Sequence, residues 1–332
     1  MLRFASVSAA LCSGWLCLGW ACGAAAEVGL RTLNFPDPAR GGVGRMVVWY
    51  PTTEPERPVR RGPFTFMAAD GAPVAAGRHP LVVVSHGSGG SALAHGDTAT
   101  ALARRGYVVA AVHHGGNAFD DDGDAGTERM WKHRPVQFSA ALDAVLADPE
   151  LGGRVDAERI GALGMSAGGF TVLAAAGAVA DLGHIAAYCA MQREDPGFCR
   201  GGGPRWRDVI DAHDRRLRAV VAMAPVAAMF GEDAFARVTV PVRLYRAELD
   251  ELVGAAQLEG VRDRLPRPPE YAVVEGAGHY AFLMPFPASV LDEVGAPAQD
   301  PPGFDRAAFH ERLNREVVDF FDRALAFAGE GR

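Results

Sequence analysis

A serine with glycines two residues to either side, Gly164-Met165-Ser166-Ala167-Gly168, is the stretch of this chain best suited to covalent chemistry. Before it, residues 159–163 read as a short buried strand. After it, residues 169–180 are apolar and alanine-rich and read as a helix. Strand, sharp turn and helix make a nucleophile elbow, in which strain lifts the serine Oγ above a sheet. The glycines leave room for that turn, and the helix aims its first amides at the reacting centre. With 40 glycines in the chain, a chance match competes with this reading. The other residues must decide.

A serine needs a base to take its proton and an acid to orient that base. In sheets carrying this elbow the acid follows the serine and the histidine comes last. That order prunes the ten histidines. Residues 241–246 read as a late strand, with Glu248 and Asp250 just beyond, and only His279 and His310 follow. His310 lies in residues 304–325, where Phe309, Leu313, Val317, Phe320 and Ala324 repeat at helical spacing; it is expected to be an exposed or flanking residue of the last helix. His279 sits in Gly276-Ala277-Gly278-His279-Tyr280, a glycine loop after the strand 271–274, where a mobile, exposed base belongs. The reading is Ser166 as nucleophile, His279 as general base and acid, and Asp250 as orienter. Glu248 is the runner-up acid, and the competing reading of Asp250 is a plain turn residue.

A tetrahedral oxyanion needs donors as well. Leu81-Val82-Val83-Val84 has the continuous apolar character of a central parallel strand. It runs into Ser85-His86-Gly87-Ser88-Gly89-Gly90, a loop whose backbone can approach an oxyanion. Ser88 is the expected first backbone donor, and Ala167, directly after the nucleophile, the second. His86 is too early in the chain to be the base and is expected to bond the backbone of its own loop.

With these residues in place, the chain resembles the α/β-hydrolase branch that holds platelet-activating-factor acetylhydrolases and the predicted dienelactone hydrolases of bacteria. The matching stretches are residues 47–52, 81–87, 106–112, Arg134-Pro135, 160–169, 247–253 and 276–283, in order along most of the chain. The resemblance implies a serine ester hydrolase without metal or organic cofactor. It also implies the triad Ser166, Asp250 and His279 with Ser88 and Ala167 as oxyanion donors, and short-acyl esters as substrates. The chain departs from true dienelactone hydrolases, which carry cysteine as nucleophile. It also has Met165 where many acetylhydrolases have histidine.

The 332 residues, 49% hydrophobic and 22% charged, are ordinary for a globular enzyme. The fold expected is one α/β domain over residues 27–332: a mostly parallel, doubly wound sheet with helices on both faces and a small lid-like insertion at about 181–216. A net charge of −7 argues against a nucleic-acid partner. Arg3, the apolar run 4–18 and Ala24-Ala25-Ala26 read as a signal peptide cleaved near residue 26. Export to the periplasm or medium is therefore expected, with lipidation at Cys22 the lesser alternative and no stable membrane insertion after cleavage. Cys189 and Cys199 then remain, and an oxidising compartment permits a bridge between them. Two thiols without nearby histidines make a poor metal site.

Residues 28–51 read as an opening strand pair, 54–80 as a surface excursion, 91–105 and 135–147 as helices, 107–113 and 218–224 as strands, and 254–265 as a helix. The excursion 115–134 carries Asp120-Asp121-Asp122-Gly123-Asp124. It lacks the distal bidentate glutamate of a calcium loop and reads as a solvated acidic loop. Among aromatics near the presumed cleft (Phe119, Trp131, Trp206, Tyr280, Phe282), the candidate substrate contacts are Tyr280, Trp206 and Trp131, each with ordinary packing as its competing reading. The expected substrate is a small-molecule ester, and nothing marks a protein partner. Rival functions are a catalytically silent binding module and, with the same triad, an acyltransferase or a polyester or lactone hydrolase.

Overall fold

The computed structural model describes residues 25–192, 195, 199 and 205–326. The proposed signal segment up to residue 24, Cys22 within it, and Gly201–Gly203 of the insertion lie outside the described residues.

Ten strands form one sheet. In chain order they are β1 (Glu27–Pro36), β2 (Val43–Thr52), β3 (Arg57–Arg61), β4 (Phe64–Asp70), β5 (His79–Ser85), β6 (Val108–His113), β7 (Val155–Met165), β10 (Leu217–Met223), β11 (Val242–Ala247) and β12 (Glu270–Val274). The spatial order is β12-β11-β10-β7-β5-β6-β2-β1-β4-β3. From β6 to β12 all neighbours are parallel, while β2 meets both β1 and β6 antiparallel. The parallel centre is covered on both faces, so its strands are apolar throughout. In β5, Leu81 and Val83 face one core cluster and Val82 and Val84 the other. The first core takes α2 (Glu128–Ala147), α3 (Ala167–Ala175) and α5 (Ala255–Arg264). The second takes α1 (Gly96–Arg104) and α7 (Arg306–Ala324). A two-stranded ribbon of β8 (Ala180–Asp181) and β9 (Val209–Ile210) flanks α4 (His184–Met191). A last short helix, α6 (Leu291–Val294), precedes α7. This is the α/β-hydrolase fold.

Several expectations need correction. Residues 54–80 are not a bare excursion. They hold the hairpin β3–β4, whose Phe64, Phe66 and Ala68 alternate inward and extend the sheet beyond β1. The helix expected over 91–105 begins only at Gly96, after a turn. The helix expected from Pro135 begins seven residues earlier, at Glu128, with Pro135 inside it. Proline there removes one backbone bond. Residues of the added turns, Met130, Trp131 and Arg134, are buried, which holds the helix together across it. The nucleophile helix stops at Ala175, before residue 180.

The acidic run faces solvent as expected at Asp120 and Asp122, with Asp121 half-buried, but Asp124 is buried and three of the carboxylates are paired. Asp120 pairs with Arg45 and His113, Asp121 with Arg40, and the buried Asp124 with Arg129 and His133. His310 is neither exposed nor flanking. It is 3% exposed, its Nδ1 2.6 Å from Asp97 Oδ2 and its Nε2–H donating to the Ala281 carbonyl at 2.9 Å. Burial would raise the Asp97 carboxyl, but its bonds to His310 and Asn314 outweigh that and hold it below its usual range. The pair ties α1 and α7 to the turn that carries His279. Among the described residues, no helix is long and apolar enough to cross a membrane.

Candidate active site

Ser166 stands between the end of β7 and the start of α3 with φ 57° and ψ −118°, a conformation an L-residue rarely adopts. Such strain costs about 1–3 kcal/mol and persists only where the surroundings fix it. Here they do. The Ser166 N–H donates to the Met223 carbonyl at 2.9 Å, and the Ser166 carbonyl accepts from Phe170 and Val226, each at 3.1 Å. The flanking glycines answer to space. A Cβ on Gly164 would stand 2.1 Å from the Gly168 carbonyl oxygen, and one on Gly168 would stand 1.9 Å from the Ser85 carbonyl oxygen. Both obstacles are backbone. Gly168→Ala is therefore expected to lower Tm by about 5 °C or more, as read by thermal unfolding of the purified variant. A Tm matching the parent would show that the turn is looser than this packing.

His279 opens a short 3-10 turn, His279–Phe282, directly after the glycine loop. Its Nδ1–H donates to Asp250 Oδ2 at 2.7 Å, and both side chains are almost fully buried. The expected mobile, exposed base is thus a held one. The other Asp250 oxygen accepts the N–H groups of Leu252 and Val253 at 2.9 and 2.8 Å. Asp250 is a turn residue and the histidine's partner at once. Glu248 instead accepts the Gly276 N–H at 2.8 Å. Because a carboxylate can only accept, the proton sits on Nδ1 and Nε2 is left as the basic nitrogen. Ser166 and His279 border the same cavity without a hydrogen bond between them. Such contacts often tighten only when substrate is bound.

That cavity holds about 400 Å³ and is walled by Met130, Trp131, Trp206, Val226, Leu252 and Val253, with Ser88 and Ala167 beside the serine. A larger groove of about 530 Å³ lies between β12 and α7. Its lining carries the carboxylates Glu275, Asp305 and Glu316 but no serine, cysteine or histidine, whereas the smaller cavity brings Ser166 and His279 together and is the candidate site. Trp131 packs edge-on against Phe170, ring centres 4.9 Å apart, with Trp206 tilted against it at 6.4 Å. Tyr280 is not on the cavity wall; it packs edge-on against His279 at 5.4 Å. Phe282 is wholly buried in the second core, and Phe119 is exposed. The Cys189–Cys199 disulfide is formed and closes the end of α4.

The loop after β5 is set by its own side chains. His86 Nδ1–H donates to the Gly87 carbonyl at 2.6 Å, and its Nε2 accepts the His114 N–H at 3.1 Å. Burial, then the nearby Arg134 charge, keeps His86 neutral, well below the usual histidine range. The Gly87 carbonyl also accepts the Gly90 N–H at 3.1 Å. A trans peptide points its N–H opposite its carbonyl. Anchoring the Gly87 oxygen inward therefore turns the Ser88 N–H the other way. Among the described residues, neither Ser88 N–H nor Ala167 N–H donates to a protein group. Two unpaired amides beside a strained serine can receive a developing negative charge.

Sequence reading missed Arg134 and Asn117 as members of the site. Both are 1% exposed behind this loop. Arg134 stood out only as part of a resemblance. The cavity residues Met130, Val226, Leu252 and Val253 carried no signal, because apolar wall and apolar core look alike in a sequence.

The comparisons with known proteins point to a hydrolase. Residues 95–188, which carry the elbow, match the prolyl oligopeptidase family, and residues 62–119, which carry the loop after β5, match platelet-activating factor acetylhydrolase, isoform II. Neither stretch reaches Asp250 or His279. No curated protein matches the chain significantly. Among solved structures, a ferulic acid esterase from Streptomyces cinnamoneus is similar at 23% identity with a TM-score of 0.63, over 92% of this chain and 91% of that one. A dienelactone hydrolase-like promiscuous phosphotriesterase from metagenomic libraries is similar at 18% identity and a TM-score of 0.54, over 90% of this chain and 100% of that one.

Proposed function

We propose that this α/β-hydrolase-fold chain is an exported serine ester hydrolase that works through an acyl-enzyme on short-acyl esters. One observation carries the reading. A strained serine, a histidine oriented by a buried aspartate, and two unpaired amides meet at one apolar cavity. Ser166 Oγ attacks the ester carbonyl while His279 Nε2 takes its proton. The carbonyl oxygen becomes an oxyanion held by the amides of Ser88 and Ala167. The intermediate collapses, His279 gives the proton to the departing alkoxide, and an acyl-serine remains. Water then attacks with His279 again as base, releasing the acid and restoring the serine.

Apolar walls, Trp131 and Trp206 among them, and a volume of about 400 Å³ suit a small ester. Export is supported by the Cys189–Cys199 bridge and by β1, which starts at Glu27, the residue after the expected cleavage point. The test is a p-nitrophenyl ester series from acetate to decanoate, with products analysed in water and with added alcohol. Turnover highest for acetate to butyrate, with free acid as the main product, is expected. Ester exchange dominating in dilute alcohol would move the reading to acyl transfer. Rates rising towards decanoate would move it to long-chain lipids.

A further inference from the structure

Behind the loop that carries Ser88 lies a buried cation with no carboxylate against it. Arg134, on α2, is 1% exposed and makes no ion pair among the described residues. Burial without a counter-charge lowers its guanidinium to about 9, still protonated at neutral pH. Its neighbours do not compensate it. Burial and the Arg134 charge hold His86 and His114 neutral, both well below the usual range. An unpaired buried charge is expensive, and a surface of apolar side chains would be more stable. Its contacts explain what it does there.

The guanidinium spans both halves of the oxyanion-binding region. One N–H donates to the His86 carbonyl, on the loop after β5. Another donates to Thr171 Oγ1 at 3.3 Å, and that hydroxyl donates to the Ala167 carbonyl at 2.9 Å, on the first turn of α3. A third donates to Asn117 Oδ1 at 2.6 Å. This last bond fixes the asparagine amide, because a guanidinium can only donate. Asn117 Nδ2 must then face the other way, and it donates to Ser88 Oγ at 2.8 Å. With its oxygen accepting from the amide, the Ser88 hydroxyl keeps its own proton free to donate, and Ser88 borders the cavity.

We propose that Arg134 and Asn117 are positioning residues that set the oxyanion-binding loop, and that they turn the Ser88 hydroxyl into a third oxyanion donor beside the two amides. The inference rests on the ester-hydrolase reading. The uncompensated charge adds a field favouring the anion that forms only in the transition state. Its effect therefore falls on kcat and leaves KM nearly alone.

Removing Arg134 outright can unfold the chain, so the test uses Asn117→Asp and Ser88→Ala. Asn117→Asp places a carboxylate on the guanidinium at unchanged size. It pairs the buried cation, which favours stability, and it cannot donate to Ser88. The readouts are Tm, kcat and KM on p-nitrophenyl acetate, and the affinity of an alkylboronic acid, whose serine adduct is a tetrahedral anion. Asn117→Asp is expected to keep or raise Tm, to lower kcat about tenfold to a hundredfold at similar KM, and to weaken the boronate by a similar factor. Ser88→Ala is expected to lower kcat about tenfold or more, and the double variant to fall short of the product of the two single effects, since both act on the Ser88 hydroxyl while only Asn117→Asp also pairs the Arg134 charge. Variants with wild-type kcat and boronate affinity would overturn the inference while wild-type turnover leaves the ester-hydrolase reading intact. A wild-type protein without turnover or boronate binding would remove that reading itself.

Discussion

Ser166→Ala is expected to lower kcat on a short-acyl p-nitrophenyl ester by about 10⁵-fold or more, leaving Tm within a few degrees of the parent. The size follows from what the oxygen does. In the proposed mechanism it is the atom to which the acyl group bonds, and without it only the two amides and the cavity would remain. In comparable serine hydrolases those leave about 10³–10⁴-fold over water, far below the complete assembly. The fold should tolerate the change, because the turn is held through the Ser166 backbone, by Met223, Phe170 and Val226, and not through Oγ. An alanine has the same Cβ, so the positive φ is no worse for it. A variant that lost activity and melted far lower would mean the serine is structural. One with unchanged turnover would place the chemistry elsewhere.

Asp250→Asn should come next in size, at about 10⁴-fold in kcat. An asparagine amide can donate where the carboxylate only accepted. It would then stabilise the tautomer with the proton on His279 Nε2, removing the basic nitrogen that must take the serine proton. In the proposed mechanism the carboxylate would also stabilise the imidazolium formed at each proton transfer, and the amide would not. The geometry should survive, since an asparagine oxygen can still accept from Leu252 and Val253. Glu248→Gln is the matched comparison. Glu248 bonds the Gly276 N–H rather than the histidine, so its change is expected to cost at most a few-fold. If Glu248→Gln proved the more damaging, the acid would have been misassigned.

The elements that position these groups were readable for a physical reason. β5 and the elbow end of β7 are covered on both faces, so they are written as unbroken apolar runs bounded by glycine. Punctuation of that kind survives in a single sequence. The chain order of serine, acid and histidine then left few residues to choose between. The hairpin β3–β4 was missed because it lies at the sheet edge, where Arg57, Pro58, Arg60 and Arg61 answer to solvent and only Phe64, Phe66, Ala68 and Ala69 to the core. The first turns of α2 were hidden by Pro135, whose usual place is at a helix start.

Buried polar groups were the hardest to see. His310 lies next to Phe309 on α7, and helical periodicity places it on the border of the apolar stripe. What buries it is Asp97, 213 residues earlier. Arg134 reads as surface in any composition argument, because arginine is seldom fully buried. Its partners Asn117, Thr171 and the His86 carbonyl come from three separate elements that only the fold assembles. Spacing within a sequence carries no trace of that meeting.

The most direct measurement is labelling of the mature, folded protein with a fluorophosphonate, followed by mass mapping of the modified peptide. The account predicts one label, on Ser166, blocked beforehand by a short-acyl ester or a boronic acid and absent from heat-unfolded protein. No label on protein that is folded, or a label mapped to a different serine, would contradict it.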